Sequence, residues 1–390
     1  MLSTKIHRKI LASILTVFFA SPVVCAQAKK QTNYKSDASS IPSISAESAV
    51  LIESGTKTIL FKKNERQERP IASTTKIMTS LLTLEASEQD DKNVTITDKM
   101  IPVEGSSMNL EVGNVLPLTS LAKGMMTVSG NDAAHSAAIF LSGSLPEFSN
   151  LMNKKAKEIG MNNTVFVTPS GLDKEDHHST AYDMALLGAH AMNNPAFFDI
   201  VSKPISDVPF VLPKEVRKIK NKNRLLKMCK GCVGVKTGFT TLAGRCLVSC
   251  VERGGIRLIA VTLKASDDWR DHIKLYEYGF SCVEHVSLDK IKPLSMPVVG
   301  GKIDKIMLYQ ENLAHAVIEK GCSESVKAVV RVPNFVYAPV EKDQTIGNVD
   351  YLLEDKIVAS QELLSRDNAP FAEVNRNILY MLFGWIFDRS

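Results

Sequence analysis

A serine and a lysine three residues apart open an apolar segment of the chain, within the stretch RPIASTTKIMTS. If a helix begins at Ser73, Lys76 lies nearly one turn later on the same face, and its amine can reach the hydroxyl. A serine hydroxyl is a poor nucleophile until a base removes its proton, and a lysine with a depressed pKa can be that base. The pair is also consistent with an ordinary helix cap followed by a solvated lysine, so other residues have to decide.

Two further short signatures follow in the chain, S-G-N at residues 129–131 and K-T-G at residues 236–238. Each is weak alone, because tripeptides recur by chance and a lone K-T-G is usually a turn. Together and in this order, the three signatures resemble the set that marks serine β-lactamases and penicillin-binding proteins. The set therefore favours nucleophilic catalysis over a capped surface helix.

The residue types predict the nucleophile, its base and a proton relay around Ser73. Ser73 would be the nucleophile and Lys76 its base, with the pKa of Lys76 lowered by burial and by a second cation, Lys236. Ser129 could relay a proton to the leaving amine, and Asn131 could orient the substrate or the lysine. The catalytic residues predicted from the sequence are Ser73, Lys76 and Ser129.

The residues that would bind the substrate are predicted mainly on a strand. Lys236 and Thr237 on a strand edge could bind a carboxylate, and Gly238 would let a substrate backbone approach that edge closely. The backbone N–H groups of Ser73 and Phe239 would form the oxyanion hole, with Ser73 gaining from the helix N-terminus. The predicted substrate-binding residues are Asn131, Lys236, Thr237, Gly238 and Phe239.

These residues need a scaffold, and the apolar periodicity predicts helices packed on a sheet. Alternating apolar residues in SAVLIESGTKTILFKK predict two strands joined by a turn at Ser54-Gly55. Helical patterns dominate from Ser73 to about Asn193, and strands return in GCVGVKTGFT, GRCLVSCVER and IRLIAVTLKA before the helical WRDHIKLYEYGF. This order predicts an α/β (α+β) domain with an antiparallel sheet and a helical subdomain.

Beyond about Leu288 the pattern changes to short β-type runs such as KIDKIMLY and VKAVVRV, which predict a small all-β domain. The chain has 390 residues, more than one domain usually holds. The predicted parts are a signal peptide, a linker, a catalytic domain, a small β-rich domain and a C-terminal helix, at residues 1–28, 29–45, 46–287, 288–365 and 366–390.

The N-terminal segment predicts export. A basic start is followed by an apolar stretch from about Ile10 to Val24 and an A-x-A end at residues 26–28, as in a secretory signal. The stretch falls short of the roughly 20 apolar residues of a membrane span and contains Pro22, which disfavours a transmembrane anchor. Removal of the signal's three basic residues leaves 44 basic and 42 acidic residues, and this balance does not indicate nucleic-acid binding.

Six cysteines remain after cleavage, and the first four follow the pattern C-x-x-C…C-x-x-x-C. In an exported protein they can form disulfides or stay as buried thiols, and both fit better than zinc because the segment between the pairs carries the K-T-G signature. If the K-T-G strand and GRCLVSC form a hairpin that turns between Thr240 and Ala243, Cys232 and Cys250 are predicted to face each other within disulfide reach.

Longer strings extend the likeness beyond the three signatures. From about Ala46 onward the chain resembles the D-alanyl-D-alanine carboxypeptidases, the low-molecular-mass penicillin-binding proteins. The strings that carry the resemblance are GSSMNLEVG, SGNDAAHSAA, MNKKAKEIGMNNTVF, SGLDKEDHHSTAYDMALL and GVKTGFTTLAG. The resemblance implies that Ser73 attacks the bond between the two terminal D-alanines of a peptidoglycan stem peptide and that β-lactams acylate the same serine. It implies no metal and no organic cofactor.

The chain departs from the common pattern of the family at two positions. Val233 stands where an acidic residue is common before the K-T-G strand, and Phe239 stands where many members have histidine. A basic residue near the site is expected to help hold the terminal carboxylate, and Lys222 and Arg270 are the candidates. Four other polar residues are predicted to have structural or surface roles: Asp132, His177, His178 and Asp183.

Three other functions are alternatives to a carboxypeptidase. A class A β-lactamase shares the acyl-enzyme but needs a glutamate to activate the deacylating water, and no E-x-x-L-N string lies between Asn131 and Lys236. An endopeptidase that cuts peptide crosslinks uses the same machinery, and the sequence leaves it open. An inactive peptidoglycan-binding scaffold is disfavoured, because all three signatures are intact.

The C-terminal segment DNAPFAEVNRNILYMLFGWIFDRS predicts an amphipathic helix that starts at Asp367 or Asn368, with Pro370 just inside. Its unbroken apolar run, residues 378–387, is about half a membrane span, so the helix is expected to lie in the membrane interface. The alternative is a helix packed on the β-rich domain. The predicted location is the outer face of the cytoplasmic membrane, in the periplasm, with peripheral attachment. The apolar face would carry Phe371, Val374, Ile378, Met381, Leu382, Trp385 and Ile386.

Overall fold

The computed structural model describes residues 40–373, which form eight α-helices and seventeen β-strands. The helices are α1 (Lys76–Gln89), α2 (Leu118–Thr127), α3 (Asn131–Ser142), α4 (Leu145–Ile159), α5 (Ala181–Ala191), α6 (Pro195–Ser202), α7 (Leu225–Met228) and α8 (Asp268–Cys282). The strands are β1 (Ser48–Glu53), β2 (Ile59–Lys63), β3 (Asn93–Thr95), β4 (Val115–Pro117), β5 (Ile205–Phe210), β6 (Glu215–Lys220), β7 (Cys232–Thr240), β8 (Gly244–Arg253), β9 (Ile256–Ala265), β10 (Val283–Leu288), β11 (Leu294–Val299), β12 (Lys305–Tyr309), β13 (Ala314–Glu319), β14 (Lys327–Arg331), β15 (Val336–Tyr337), β16 (Thr345–Leu353) and β17 (Lys356–Ser365).

A five-stranded antiparallel sheet in the order β2-β1-β9-β8-β7 forms the middle layer of the first domain. Both faces of the sheet are covered, which is why β1 is buried along its whole length. Val50 and Ile52 belong to the core shared with helices α1 to α6, whereas Ala49 and Leu51 belong to the core that contains α8. The predicted antiparallel sheet and helical subdomain are confirmed, and β7 lies at the edge of the sheet.

The helix predicted to begin at Ser73 opens as a 3-10 turn, Ala72–Thr75, and continues as α1 from Lys76. Residues three apart in a 3-10 turn eclipse each other, so Ser73 and Lys76 still share one face. Ala72 has φ +47°, a left-handed conformation that costs an L-residue about 1–2 kcal/mol. The apolar residues of α1 are buried, so core packing holds the turn in this conformation.

Strands β10 to β17 build the second domain, which is all-β as the sequence predicts. Strand β10 pairs with β13, and the other six strands form one sheet in the order β14-β16-β17-β12-β11-β15. Two small apolar cores lie within the domain, one around Ile306 and Leu363 and the other around Ile318 and Tyr351. Because β10 pairs inside this domain, the β-rich part begins at Val283, five residues before the predicted boundary.

The predicted helix start at Asp367 or Asn368 is wrong. Residues 367–373 run extended along the second domain, with Ala369 in a β-bridge to Val340 and Phe371 in one to Gly301. These bridges supply the backbone hydrogen bonds that a helix would otherwise make.

Three predicted segments lie outside the described residues, in whole or in part. They are the signal peptide, the linker up to residue 39, and the C-terminal helix from residue 374 onward. Within residues 40–373, no helix has both the length and the apolar character that a membrane span requires.

The hairpin of β7 and β8 forms as predicted, but its register separates Cys232 from Cys250. Cys232 pairs with Val251, and Cys250 pairs with Gly234, across an irregularity in β7. The predicted facing of the two cysteines is therefore wrong, because the irregularity shifts the pairing of the strands at that point. All six cysteines in the described part of the chain are free thiols. In the same residues no three His, Cys, Asp or Glu side chains are grouped to hold a metal ion.

Candidate active site

Ser73 and Lys76 come together at the start of α1. The Lys76 Nζ atom lies 2.9 Å from Ser73 Oγ and donates a hydrogen bond to the Ser170 carbonyl oxygen at 2.6 Å. The Lys76 side chain is fully buried, so its amine is shielded from bulk water. The alternative of a solvated lysine that follows an ordinary helix cap is thereby excluded.

The electrostatic surroundings of Lys76 favour its neutral form. Burial lowers the pKa of Lys76 far below its usual range, and the cations Lys236 and Lys222 lower it further, whereas Asp132 opposes the shift. An amine that has lost its proton at neutral pH can accept one from a hydroxyl within hydrogen-bond distance. The pKa of Lys76 is therefore shifted in the direction that a base for Ser73 requires.

A second buried amine and hydroxyl join the other two signatures. Lys236 Nζ donates hydrogen bonds to Ser129 Oγ at 3.0 Å and to the Thr237 carbonyl oxygen at 2.7 Å. Burial lowers the pKa of Lys236 to about 7, and Lys222 adds to the shift. Ser129 has φ +66° in the turn before α3. The S-G-N and K-T-G signatures, 107 residues apart along the chain, are thus in direct contact.

Strand β7 lies directly against the turn that carries Ser73. A Cβ atom placed on Gly238 would lie 3.0 Å from the Ser73 amide nitrogen and 3.1 Å from that of Thr74. These distances are tighter than most Cβ contacts, so glycine favours this close approach of the strand to the turn. The Phe239 side chain is 68% exposed, so its ring stands beside the open edge of β7.

Asn131 and Asp132 open α3 and order the loop before it. Asn131 Nδ2 donates a hydrogen bond to the Glu104 carbonyl oxygen at 2.6 Å, while its buried Oδ1 has no hydrogen-bond partner within residues 40–373. That oxygen is an acceptor available to a substrate N–H. The Asp132 carboxylate accepts hydrogen bonds from the N–H groups of Met108 and Leu110, both at 3.0 Å. Asp132 is structural, as predicted, but it mainly anchors the GSSMNLEVG loop.

Sequence reasoning gave no role in the site to Ser170 and Gly171. Ser170 supplies the carbonyl that binds the Lys76 amine. Gly171 has φ +79°, and a Cβ atom placed on it would lie 1.9 Å from the Ala72 carbonyl oxygen. The loop can therefore approach the turn only with glycine at this position. Apolar periodicity carries no signal for such a contact, and the serine–glycine pair indicates no more than a turn.

His177 supports the turn of Ser73 from behind. Its Nδ1 atom accepts a hydrogen bond from the Val167 N–H at 3.0 Å, and its Nε2 atom lies 2.8 Å from Thr75 Oγ1. Burial lowers the pKa of His177 to about 4, so the ring is neutral and carries its proton on Nε2. His177 is structural, as predicted, and holds the turn in place through Thr75.

Three other polar residues lie near the site or its loops. His135 was not singled out by sequence reasoning; its Nε2 atom lies 3.4 Å from Ser170 Oγ, and burial and then Lys76 lower its pKa to about 4. Asp183 accepts a hydrogen bond from the Asn163 N–H at 2.8 Å and is structural, as predicted. His178 lies 3.7 Å from a carboxylate oxygen of Glu68, at the surface.

The two candidate carboxylate binders lie in different places. Lys222 Nζ is 3.0 Å from Ser106 Oγ, and its charge reaches both buried amines of the site. Arg270 is on α8, where its side chain is 75% exposed and pairs with Asp267 at 3.4 Å. Because α8 packs on the face of the sheet opposite α1, Arg270 is wrong as a candidate. Lys222 remains.

Comparison with known protein families gives matches over both domains. A family model described as D-alanyl-D-alanine carboxypeptidase matches residues 35–267. A second one, described as the C-terminal domain of penicillin-binding protein 5, matches residues 283–370. The similarity therefore covers the domain that carries the site and the all-β domain that follows.

Individual proteins are similar over most of their length. D-alanyl-D-alanine carboxypeptidase DacF of Bacillus subtilis is 32% identical over 374 residues, which cover 92% of this chain and 93% of the relative. D-alanyl-D-alanine carboxypeptidase DacA of Escherichia coli is 29% identical over 394 residues, which cover 95% and 96%. The crystal structure of penicillin-binding protein 5 from Haemophilus influenzae matches with a TM-score of 0.66 and 31% identity, over 84% of this chain and 98% of that one.

Gly171→Ala is expected to slow the labelling of Ser73 by a fluorescent penicillin by about 100-fold or more, because the added Cβ displaces the turn that carries the serine. The matched control is Gly143→Ala, since Gly143 has φ +80° but open space around its Cβ position. The control should lose about 1 kcal/mol of unfolding free energy in urea and keep its labelling rate. Equal labelling rates in the two variants would contradict the proposed contact.

Lys222→Gln is expected to move the pH profile of penicillin labelling to higher pH, by about half a pH unit. Removal of this cation raises the pKa values of Lys76 and Lys236, so less of the neutral Lys76 base is present at low pH. Stopped-flow rates between pH 5 and 9 would measure the shift, with exposed Lys227→Gln as the control. A rate lowered by the same factor at every pH would indicate substrate binding alone.

Proposed function

The chain belongs to the D-alanyl-D-alanine carboxypeptidase family, and on that premise we propose how its residues carry out the reaction. Members of the family are serine-type peptidases that act on peptidoglycan peptides ending in D-Ala-D-Ala and that bind β-lactams. The observation that carries the proposal is the buried Lys76 amine, 2.9 Å from Ser73 Oγ. We propose that this pair cleaves the bond between the two terminal D-alanines of a stem peptide.

Acylation begins when Lys76 takes the proton of Ser73. The Ser73 oxygen attacks the carbonyl carbon of the penultimate D-alanine, and the negative charge that develops on the carbonyl oxygen lies between the N–H groups of Ser73 and Phe239. The close approach of Gly238 to the turn supports this arrangement, because it brings β7 alongside the Ser73 amide. The substrate peptide pairs with the open edge of β7, and the Asn131 carboxamide oxygen accepts a hydrogen bond from the substrate.

The leaving group is bound by the second amine. The terminal carboxylate lies at Lys236 and Thr237, with Lys222 as a further cation at this end of the site. The Ser129 hydroxyl, which Lys236 holds at 3.0 Å, passes a proton to the nitrogen of the departing D-alanine. Ser129 is reprotonated by the proton that Lys76 took from Ser73, which leaves Lys76 neutral again. Water then attacks the acyl ester with Lys76 as base, and Lys76 passes that proton to the Ser73 oxygen as the shortened peptide leaves.

We further propose that the enzyme is exported and attached peripherally to the outer face of the cytoplasmic membrane. The signal-like sequence of residues 1–28 supports export, and the apolar run of residues 378–387 supports attachment. Because residues 367–373 run along the second domain, the segment proposed to attach to the membrane is limited to residues 374–390. The second domain would then connect the anchor to the catalytic domain.

Ser73→Ala is expected to abolish both the penicillin adduct and the release of D-alanine. Lys76→Met, which keeps the shape of the buried side chain without its amine, should lower acylation by at least about 10²-fold. Ser80→Ala is the matched control, because Ser80 is buried in α1 and its Oγ has no hydrogen-bond partner within residues 40–373. Mass spectrometry of the penicillin-treated proteins locates the adduct, and an adduct that persists in Ser73→Ala would refute the proposed nucleophile.

Truncation after Glu373 is expected to release the enzyme from membranes while it still binds penicillin, since the contacts of residues 367–373 with the second domain are kept. In the full chain, Leu382→Asp on the apolar face should weaken attachment, whereas Asn377→Asp on the polar face adds the same charge and should not. Cell fractionation with immunoblotting measures the membrane-bound fraction of the truncated protein and of the two variants. Apolar burial resists salt, so release of the intact protein by moderate salt would contradict this mode of anchoring.

A further inference from the structure

The C-x-x-C signature forms a tight turn immediately before β7. The Cys232 N–H donates a hydrogen bond to the Cys229 carbonyl oxygen at 3.1 Å, and Gly231 between them has φ +78°. This is a four-residue β-turn, in which the first and last Cα atoms lie less than about 7 Å apart. Disulfides join Cα atoms about 4.4–6.8 Å apart, so the turn brings the two cysteines to bridging distance.

The turn is fixed to its neighbour strand. The Glu252 N–H donates a hydrogen bond to the Gly231 carbonyl oxygen at 2.9 Å, and Arg253 Nε donates one to the Lys230 carbonyl oxygen at 3.0 Å. A Cβ atom placed on Gly231 would lie 2.4 Å from the Glu252 carbonyl oxygen, so glycine is needed here. The backbone turn that sets the Cα separation of the two cysteines is therefore already held in the thiol state.

We propose that Cys229 and Cys232 form a dithiol site, which a disulfide compound oxidises to an intramolecular disulfide. The oxidant is a small-molecule or protein disulfide of the compartment in which the protein resides. The site is separate from the peptidase reaction and does not depend on it. The earlier expectation of a bridge between Cys232 and Cys250 is replaced, because Cys250 pairs with Gly234.

The surroundings of the two sulfur atoms assign their order of reaction. Cys232 is the more exposed, so its thiolate attacks one sulfur of the oxidant and a first thiol leaves. Burial raises the pKa of Cys229, and the charge of Arg253, whose Nη2 atom lies 3.7 Å from Cys229 Sγ, partly offsets this shift. The Cys229 thiolate then attacks the Cys232 sulfur of the mixed disulfide, and a second thiol leaves. Two protein thiols and one disulfide become one protein disulfide and two thiols.

Burial raises the pKa of Cys232 to about 12, so few molecules carry its thiolate at neutral pH and the first step is slow. The bridge ties the end of α7 to the start of the strand that carries Lys236. The turn is already formed in the thiol state, so oxidation should leave acylation of Ser73 unchanged within about twofold. The bridge restricts the unfolded chain and should raise Tm by about 4 °C.

The test uses the purified full-length chain with oxidised glutathione as the probe. Remaining thiols are blocked with iodoacetamide without denaturant, and the tryptic peptides are mapped before and after reduction. Trypsin cuts after Lys230, so the bridge should appear as two linked peptides that reduction separates. The rate of bridging should rise with pH, and penicillin labelling of Ser73 in the same samples reports the peptidase site independently.

Two variants separate this bridge from others. Cys250→Ser is expected to form the bridge and to show the rise in Tm, whereas Cys229→Ser should retain glutathione on Cys232 and show no rise. The proposal is overturned if Cys232 links to Cys250 instead. It is equally overturned if both thiols of the turn still react with iodoacetamide after the oxidant as they did before it.

Discussion

Two lysine amines buried in one site are the constraint on which the rest of this structure depends. Like charges repel strongly where water is excluded, and burial alone disfavours each ammonium ion. These effects lower the pKa of Lys76 far below its usual range, whereas Lys236, with a pKa of about 7, retains partial charge near neutrality. In the proposed mechanism the same residue type thus supplies a base at one position and a cation for a carboxylate at the other.

Keeping the Lys76 amine dry requires three backbone segments to meet closely. The loop at Gly171 approaches the turn that bears Ser73 to a distance that excludes a Cβ atom, and strand β7 at Gly238 approaches the turn to a distance at which a Cβ atom would be tightly packed. The turn itself is held by Thr75, whose Oγ1 atom donates a hydrogen bond to the Ala72 carbonyl oxygen at 2.8 Å and also contacts His177. The strained conformation of Ala72 persists because these contacts over-determine it.

The two sides of strand β7 differ, because one pairs with β8 and the other is the edge of the sheet. Pairing with β8 on one side fixes the register of the K-T-G residues and also the cysteine turn that precedes them. The other side is the edge of the sheet, where an extended peptide can add as a further strand. An edge strand is ordinarily a liability for aggregation, and here the edge lies against the turn that carries Ser73.

The sequence by itself determined the order of elements, the antiparallel sheet and the residue types of the site, because periodicity and the three signatures are local properties of the chain. It could not determine the Ser170 carbonyl or the approach of Gly171, since these contacts join residues about 95 positions apart. The register at Cys232 and the path of residues 367–373 were also decided by tertiary structure. An irregularity in β7 shifted the pairing of Cys232. The β-bridges to the second domain overrode the predicted helix in residues 367–373.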